Sequence, residues 1–110
     1  MNSGKRMKIK VCRTLKSQSR GLMFSRRKNL LFIYNIPVYI DLHMLFVFFP
    51  VDAIYINENM EIIEIKHMKP FGWSYKAKHK AKYVLEVTEE HDFNVWDKVE
   101  INDNEVSKAM

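Results

Sequence analysis

The chain has 110 residues and a formal net charge of +5, and this length is typical of one globular domain. Hydrophobic residues make up 47% and charged residues 28%, a composition that excludes a disordered chain and supplies one apolar core. The single cysteine, Cys12, excludes a disulfide framework and a cysteine-based zinc ribbon. No uncharged stretch, residues 42–51 included, is long enough to be a membrane-spanning helix.

Runs that alternate polar and apolar residues, or that are rich in β-branched and aromatic residues, predict about seven short strands. In chain order they cover residues 8–13, 30–34, 38–49 (one bent strand or two consecutive ones), 53–56, 61–66, 81–87 and 99–101. Pro37 ends the second run and Pro50 marks an edge or a bulge, because proline cannot donate to a strand ladder. The polar turn over residues 57–60 gives the clearest hairpin signal.

Two short helices are also predicted. The first begins at Thr14, a residue type suited to helix capping, and ends at Gly21, which readily adopts the left-handed conformation of a helix end. The second begins at Thr88, where Glu89 and Glu90 suit the positive end of the helix dipole.

These elements predict a single mainly β domain over residues 8–101, either a small β-sandwich or a partly closed barrel. Residues 67–80 are predicted to form a long loop between two strands. Residues 1–7 are predicted to be a flexible N-terminus, and residues 102–110 a polar C-terminal tail that frays.

Charge is arranged in four blocks along the chain. Residues 1–40 carry ten bases and no acid, residues 41–65 five acids and no base, residues 66–82 six lysines and no acid, and residues 83–110 eight acids against two lysines. Two interpretations are open. The favoured one is that acidic and basic strands lie side by side and pair their charges across a sheet. The other is that the basic blocks form a patch that binds a polyanion.

Four short segments resemble one known family in their order and spacing. They are Arg-Gly-Leu-Met at residues 20–23, Leu-Phe-Ile-Tyr at 31–34, Met44 ahead of Pro-Val-Asp at 50–52, and Lys-Tyr-Val-Leu-Glu at 82–86. From about residue 8 to residue 101 the chain resembles the domain of unknown function 192, also named uncharacterised protein family 0127. The resemblance implies a compact, mainly β domain with a short early helix that ends at the Gly-Leu-Met turn. It implies no reaction.

The chain departs from the family pattern in two places. Leu-Phe-Val at residues 45–47 stands where many members carry a polar Lys-Asn-Thr run, so no role built on that run is expected here. Trp96 and Asp97 replace a Gly-Asp pair, so this turn keeps its acid and loses its glycine. Many bacterial relatives look exported, whereas no apolar segment follows the first basic residues of this chain, so a cytoplasmic location is expected.

The resembling segments supply the candidate motif or pocket residues, which are Arg20, Met44, Asp52, Tyr83 and Glu86. An acid that borders an uncharged run is expected to be partly buried and to need a partner. Asp52 then either accepts hydrogen bonds from a loop backbone or an arginine and locks a turn, which is the favoured interpretation, or it lines a small pocket.

The histidines and the cysteine give no catalytic or metal-binding signature. His43, His67, His79 and His91 include no pair at the close spacing of zinc ligands, so exposed or hydrogen-bonded structural histidines are expected. Cys12 lies in an alternating strand and is expected to be a small buried hydrophobe. We therefore predict no catalytic residue, no metal and no cofactor.

The segment over residues 69–82 interleaves aromatic side chains with lysines. Aromatic rings can stack on unpaired bases while lysines contact phosphates, as in proteins that bind single strands. The candidate polyanion-binding residues are Lys69, Trp73, Tyr75, Lys76, Lys78, Lys80 and Lys82. The alternative, which we favour, is a mobile loop whose rings pack back on the sheet.

Residues 44–49 would be apolar on both faces of a strand, which indicates either a doubly covered core strand or an apolar patch for a partner. Taken together, the sequence favours a non-enzymatic module, monomeric or homodimeric, that binds a small ligand or a protein and no membrane. The first alternative is a protein that binds single-stranded nucleic acid through residues 69–82. The second is a small hydrolase with a pocket near Asp52.

Overall fold

The computed structural model of the chain describes residues 6–12, 27–42, 47–71 and 75–109. These residues form the strands β1 (Met7–Lys8), β2 (Lys10–Cys12), β3 (Leu30–Val38), β4 (Asp41–Leu42), β5 (Val51–Ile56), β6 (Ile62–Met68), β7 (Tyr75–Lys76), β8 (Ala81–Val87), β9 (Val99–Ile101) and β10 (Glu105–Lys108). A five-stranded central sheet has the order β2-β3-β8-β5-β6, a three-stranded sheet the order β1-β10-β9, and β4 and β7 form a two-stranded ribbon. The prediction of a mainly β fold is therefore confirmed.

The hairpin of β5 and β6 organises the central sheet. Its turn is held by Asn57, whose side-chain oxygen accepts the backbone N–H groups of Asn59 and Glu61 at 2.9 and 3.0 Å. On its other side β5 pairs with β8, and β8 pairs with β3, in both cases antiparallel. The predicted hairpin and the predicted strand over residues 81–87 are both present.

Both faces of the central sheet are covered, which explains why β5 is apolar along almost its whole length. Ala53 and Tyr55 belong to one apolar cluster, together with Ile40 and Ala77 from the ribbon. Ile54 belongs to a second cluster on the opposite face, formed with residues of the three-stranded sheet that include Val99 and Val106. The molecule is thus layered as ribbon, central sheet and small sheet, and the sheets do not close into a barrel.

The prediction of two helices is not confirmed, since no helix is found within the described residues. The helix predicted after Thr14 lies outside them. The helix predicted at Thr88 is wrong, because buried Asn29 satisfies this segment instead. Its Oδ1 accepts the backbone N–H of Thr88 at 2.9 Å, and its Nδ2 donates to Glu89 at 2.8 Å. Within the described residues, no helix exists that is long and apolar enough to cross a membrane.

The C-terminal tail predicted to fray instead forms β10, whose Val106 is fully buried. This residue lies opposite Met7 of β1 and Ile101 of β9 in the strand register. An apolar side chain at the centre of a three-stranded sheet removes enough surface from water to keep a short polar segment in place.

Of the one bent strand or two consecutive strands predicted over residues 38–49, the described residues show the end of β3 at Val38 and the two residues of β4. The strand β3 continues through Pro37 by means of a register shift. Farther along, residues 47–49 lie outside any strand, and Val47 and Phe49 are buried whereas Phe48 is 55% exposed. The loop predicted over residues 67–80 contains β7, which pairs with β4.

A candidate ligand site around Asp52

Asp52 is placed by β5 at one end of the central sheet. It lies directly opposite His67 of β6 and Val87 of β8 in the strand register. Beyond β8, the turn that Asn29 holds brings His91 back to the same carboxylate. Three residues far apart in sequence therefore meet at one point, which we call the Asp52 centre.

Each oxygen of the Asp52 carboxylate contacts one imidazole. Oδ1 lies 2.6 Å from Nδ1 of His67, and Oδ2 lies 2.7 Å from Nε2 of His91. The partner that sequence analysis expected, a loop backbone or an arginine, is not found at this carboxylate among the described residues.

A neighbouring backbone group fixes the tautomer of His91. The backbone N–H of Phe93 donates to Nδ1 of His91 at 3.1 Å. Because a backbone N–H can only donate, Nδ1 is the unprotonated nitrogen, and Nε2–H donates to Asp52. Both nitrogens of His91 are thereby occupied, and the ring is 10% exposed, so His91 acts as a positioning residue.

These contacts keep Asp52 ionised. Burial by itself raises the pKa of Asp52, but the hydrogen bonds that the carboxylate accepts from His67 and His91 outweigh it, so the pKa lies below its ordinary value. An ionised carboxylate can only accept, so Nδ1 of His67 carries the proton that lies between them.

His67 differs from His91 in that only one of its ring nitrogens is bonded to a described residue. With Nδ1–H donated to Asp52, the neutral ring presents Nε2 as an acceptor. The side chain is 65% exposed, and no described residue bonds to Nε2. An imidazole oriented by a carboxylate and open at its other nitrogen is suited to accept a hydrogen bond from a ligand.

The Asp52 centre opens into a surface depression of about 540 Å³. Its lining is Pro50, Asp52, His67, Val87, Thr88, Glu89, Glu90 and His91. Three of these side chains are carboxylic acids, and no lysine or arginine is among them. No group of three potential metal ligands converges within the described residues. The depression is therefore suited to a cationic or hydrogen-bond-donating ligand.

A second carboxylate–histidine group, the Glu64 centre, lies on the opposite face of the same hairpin. Glu64 is 8% exposed and accepts hydrogen bonds from the hydroxyl of Tyr75, the backbone N–H of Lys78 at 3.0 Å and Nδ1 of His79 at 3.1 Å. Burial raises the pKa of Glu64, but these three donors reverse the effect and lower it below its ordinary value. The Glu64 centre fastens the ribbon to the central sheet.

The other candidate motif residues do not converge on Asp52. Glu86 is buried on the opposite face of the sheet, beside Ala53 in register, where burial raises its pKa to about 7. Tyr83 lies toward the far end of β8 and lines a separate depression of about 560 Å³. Arg20 and Met44 lie outside the described residues.

The candidate polyanion-binding lysines remain at the surface. Lys69, Lys76, Lys78 and Lys80 are exposed and Lys82 is half-buried. None of them forms an ion pair with a carboxylate in the described part of the chain, where the ion pairs of lysine and arginine involve Arg6 and Lys108.

The favoured interpretation of the charge blocks, pairing across the sheet, holds only in part for the block over residues 66–82. Asp41 lies opposite Lys76 in the strand register, but no described lysine of this block forms an ion pair. Tyr75 packs against Tyr55, with ring centroids 6.3 Å apart, as the packed-loop interpretation predicted for this ring. Trp73 lies outside the described residues.

Sequence analysis identified Asp52 but missed its two partners and the whole Glu64 centre. The predicted hairpin contained a usable signal, since it places His67 near Asp52 across two adjacent strands. A turn over residues 57–60 with perfect pairing would set residue 52 opposite residue 65. The turn instead closes Asn57 against Glu61, and the irregularity at Tyr55 and Ile56 adds one more residue, so His67 lies opposite Asp52. No local sequence pattern predicts that His91 contacts Asp52 or that His79 contacts Glu64.

Comparisons with known proteins agree with this fold. Over 83 residues the chain is 26% identical to a UPF0127 protein of Thermococcus sibiricus, covering 72% of this chain and 53% of that protein. It is 33% identical over 89 residues to a UPF0127 protein of Pyrococcus furiosus, covering 74% and 76%. The chain thus spans about half the length of the first relative.

Two crystal structures share the fold. A protein of unknown function from Novosphingobium aromaticivorans superposes with a TM-score of 0.67 at 23% identity, covering 73% of this chain and 61% of that one. A protein from Sinorhizobium meliloti, named as a proposed transcription regulator, gives a TM-score of 0.68 at 18% identity, with coverage of 76% and 78%. At these identities the likeness concerns the fold.

The backbone at Trp96 is unusual for a residue other than glycine. Trp96 has a φ of 76°, in the left-handed region that favours glycine, as expected from the Gly-Asp pair that the resemblance implied for this turn. The family model described as "Uncharacterized ACR" matches residues 1–101. The chain therefore belongs to the family named domain of unknown function 192, whose curated members are called UPF0127 proteins.

Proposed function

We propose that this domain is a binding module whose ligand is a small cationic hydrogen-bond donor, such as a primary amine or a guanidinium group, held at the Asp52 centre. The observation that carries the proposal is the unequal use of the two imidazoles. Both nitrogens of His91 form hydrogen bonds within the protein, whereas His67 keeps Nε2 as an acceptor on a 65% exposed side chain.

The charge of the depression supports a cationic ligand. Asp52 is ionised, and Glu89 and Glu90 lie on the same lining. Glu89 is held in place by Asn29, whose amide donates to it at 2.8 Å. A ligand ammonium or guanidinium group would donate to Nε2 of His67 and gain from the carboxylates around it.

The same geometry also has to be weighed against a hydrolase. A carboxylate that orients an imidazole is the arrangement of a general base. Catalysis through a covalent intermediate further needs a nucleophile, most simply a hydroxyl or thiol, beside the imidazole. The hydroxyl in this lining belongs to Thr88, and it lies 3.3 Å from both the Lys28 carbonyl and Asn29 Oδ1, so it is engaged by the protein. Binding therefore accounts for the described residues with fewer additional groups.

Imidazole NMR tests the proposal directly. In protein with ¹⁵N-labelled histidine, titration with agmatine, which carries an ammonium and a guanidinium group, should shift the ring signals of His67 and His91. His79 is an internal control, because it also bonds a carboxylate and is 58% exposed but belongs to the Glu64 centre. Acetate at equal concentration should leave all these signals in place.

Matched variants complete the test. His67→Gln should abolish the agmatine response, whereas His79→Gln should retain it. Equal shifts at His67 and His79, or full agmatine affinity in His67→Gln, would contradict the proposal. Native mass spectrometry of the purified wild type and His67→Gln proteins would then identify a co-purifying ligand as the adduct that the variant loses.

A further inference from the structure

The outer face of the β4–β7 ribbon carries a second, independent surface. Asp41 lies opposite Lys76 in register, and the backbone N–H of Ala77 donates to the Ile40 carbonyl at 3.4 Å. Because side chains alternate along paired strands, Ile40 and Ala77 point into the core. The alternate positions, Tyr39, Asp41, Lys76 and Lys78, are exposed, as is Lys80. We call Tyr39, Asp41, Lys76, Lys78 and Lys80 the ribbon face.

The ribbon face is basic and its charges are not neutralised within the described protein. Asp41 is the acid opposite Lys76, yet no described lysine of this face forms an ion pair. Lys80 instead places its ammonium 5.8 Å from the ring centroid of Tyr39, and Lys66 lies 5.3 Å from the ring of Tyr75 beside it. With three lysines against the single acid Asp41, the ribbon face has a net positive charge, which favours a polyanion.

An exposed aromatic ring lies among these lysines. Tyr39 is 62% exposed although Lys80 lies over its ring. A sulfated polysaccharide or an anionic membrane would be attracted through the lysines. A nucleic acid with unpaired bases would use the lysines and the ring together, since a base can stack on the ring while the lysines contact phosphates.

The ribbon is also held rigid from beneath. Both Tyr75 and the backbone of Lys78 bond to Glu64, so the lysine-bearing strand is fixed to the central sheet. A preformed surface loses less freedom on binding than a mobile loop does. We propose that the ribbon face binds single-stranded nucleic acid, with Lys76, Lys78 and Lys80 on phosphates and Tyr39 stacked on a base.

Fluorescence anisotropy with labelled twelve-nucleotide oligo(U) and oligo(dT) tests this inference. Binding should be measurable at low salt and should weaken as salt rises. The log–log slope should be about −2, because each phosphate neutralised on a single strand contributes about −0.7. Blunt duplex DNA of the same length should bind more weakly, since its bases are not free to stack.

Variants separate stacking from general charge attraction. Tyr39→Ala should weaken oligo(U) binding about fivefold or more, and Tyr39→Phe should retain it. The double change Lys76→Ala, Lys80→Ala should make the salt slope shallower by roughly 1.4. Lys98→Ala is the matched control, because Lys98 is exposed outside this face, and its slope should equal that of the wild type.

Three results would overturn the inference. They are no binding at low salt, equal affinity of Tyr39→Ala and wild type, or displacement by heparin with an affinity that Tyr39→Ala leaves unchanged. Circular dichroism melting of each variant checks folding, and the double lysine variant provides the test if Tyr39→Ala is unstable. Agmatine binding at the Asp52 centre should be unaffected by every one of these changes.

Discussion

Asp52 and Glu64 lie on opposite faces of the same hairpin, and each accepts a hydrogen bond from Nδ1 of a histidine. They differ in what else reaches them. Glu64 is 8% exposed and receives a tyrosine hydroxyl and a backbone N–H from the ribbon above it. Asp52 retains 26% exposure and receives a second imidazole at the rim of a depression.

The difference shows how one pair of residue types serves two purposes. Where neighbouring strands cover the carboxylate, the group has a structural role, because the Tyr75 hydroxyl and the Lys78 backbone N–H attach the ribbon to it. Where the sheet ends, the second imidazole orients the carboxylate, and the first keeps a free nitrogen at the surface. The Glu64 centre and the Asp52 centre therefore differ in burial and in the number of donors rather than in residue type.

The largest effect is expected for Glu64→Gln. This change removes a buried charge that three donors share, so the free energy of unfolding should fall by about 2–4 kcal/mol, given the cost of losing hydrogen bonds to a charged group. Urea unfolding followed by circular dichroism measures it. The control is Glu58→Gln in the exposed turn of the same hairpin, which should stay within about 0.5 kcal/mol. If Glu64→Gln lowered the free energy of unfolding no more than Glu58→Gln does, the structural role of the Glu64 centre would be refuted.

A smaller loss is expected for Asp52→Ala. Its two imidazole partners would lose their acceptor, but the open depression lets water replace it in part, so we expect about 1–3 kcal/mol. The exposed Asp103→Ala is the matched control. Unchanged melting would mean that Asp52 has no structural role, and a loss exceeding that of Glu64→Gln would reverse the ranking of the two centres.

The smallest expected effect is on how the free energy of unfolding depends on pH. Asp52 and Glu64 have lowered pKa values, so their stabilisation is present above about pH 4.5 and is lost as the pH falls through those values. The pKa of Glu86 is shifted in the opposite direction, so its effect on stability has the opposite pH dependence. With its pKa raised to about 7 from 4.5, the folded state holds more protons between these values, and stability from this group falls as the pH rises through that window.

Glu86→Gln should therefore remove the decline between about pH 4.5 and 7 while leaving the acid limb intact. Thermal melting across pH 3 to 8 for wild type, Glu86→Gln and Glu64→Gln measures both limbs. Glu64→Gln should flatten the acid limb and leave the decline toward pH 7. A Glu86→Gln profile parallel to that of the wild type would show that the buried carboxyl does not titrate in this window.

Local sequence patterns correctly predicted the β class, the hairpin, the strand over residues 81–87 and an Asp52 that is partly buried and has a partner. These follow from alternation and turn chemistry, which act over a few residues and can be recognised locally. The burial of Cys12, 3% exposed, follows from the same local pattern.

Tertiary structure decided the rest, because it depends on register and on contacts distant in the chain. An irregularity in the hairpin sets His67 opposite Asp52, and a turn held by Asn29 from another strand returns His91. The same Asn29 contacts replace the helix predicted at Thr88. The polar tail forms β10 because it pairs with β1 on one side and with β9 on the other. Local propensity is worth little where a distant partner supplies the hydrogen bonds.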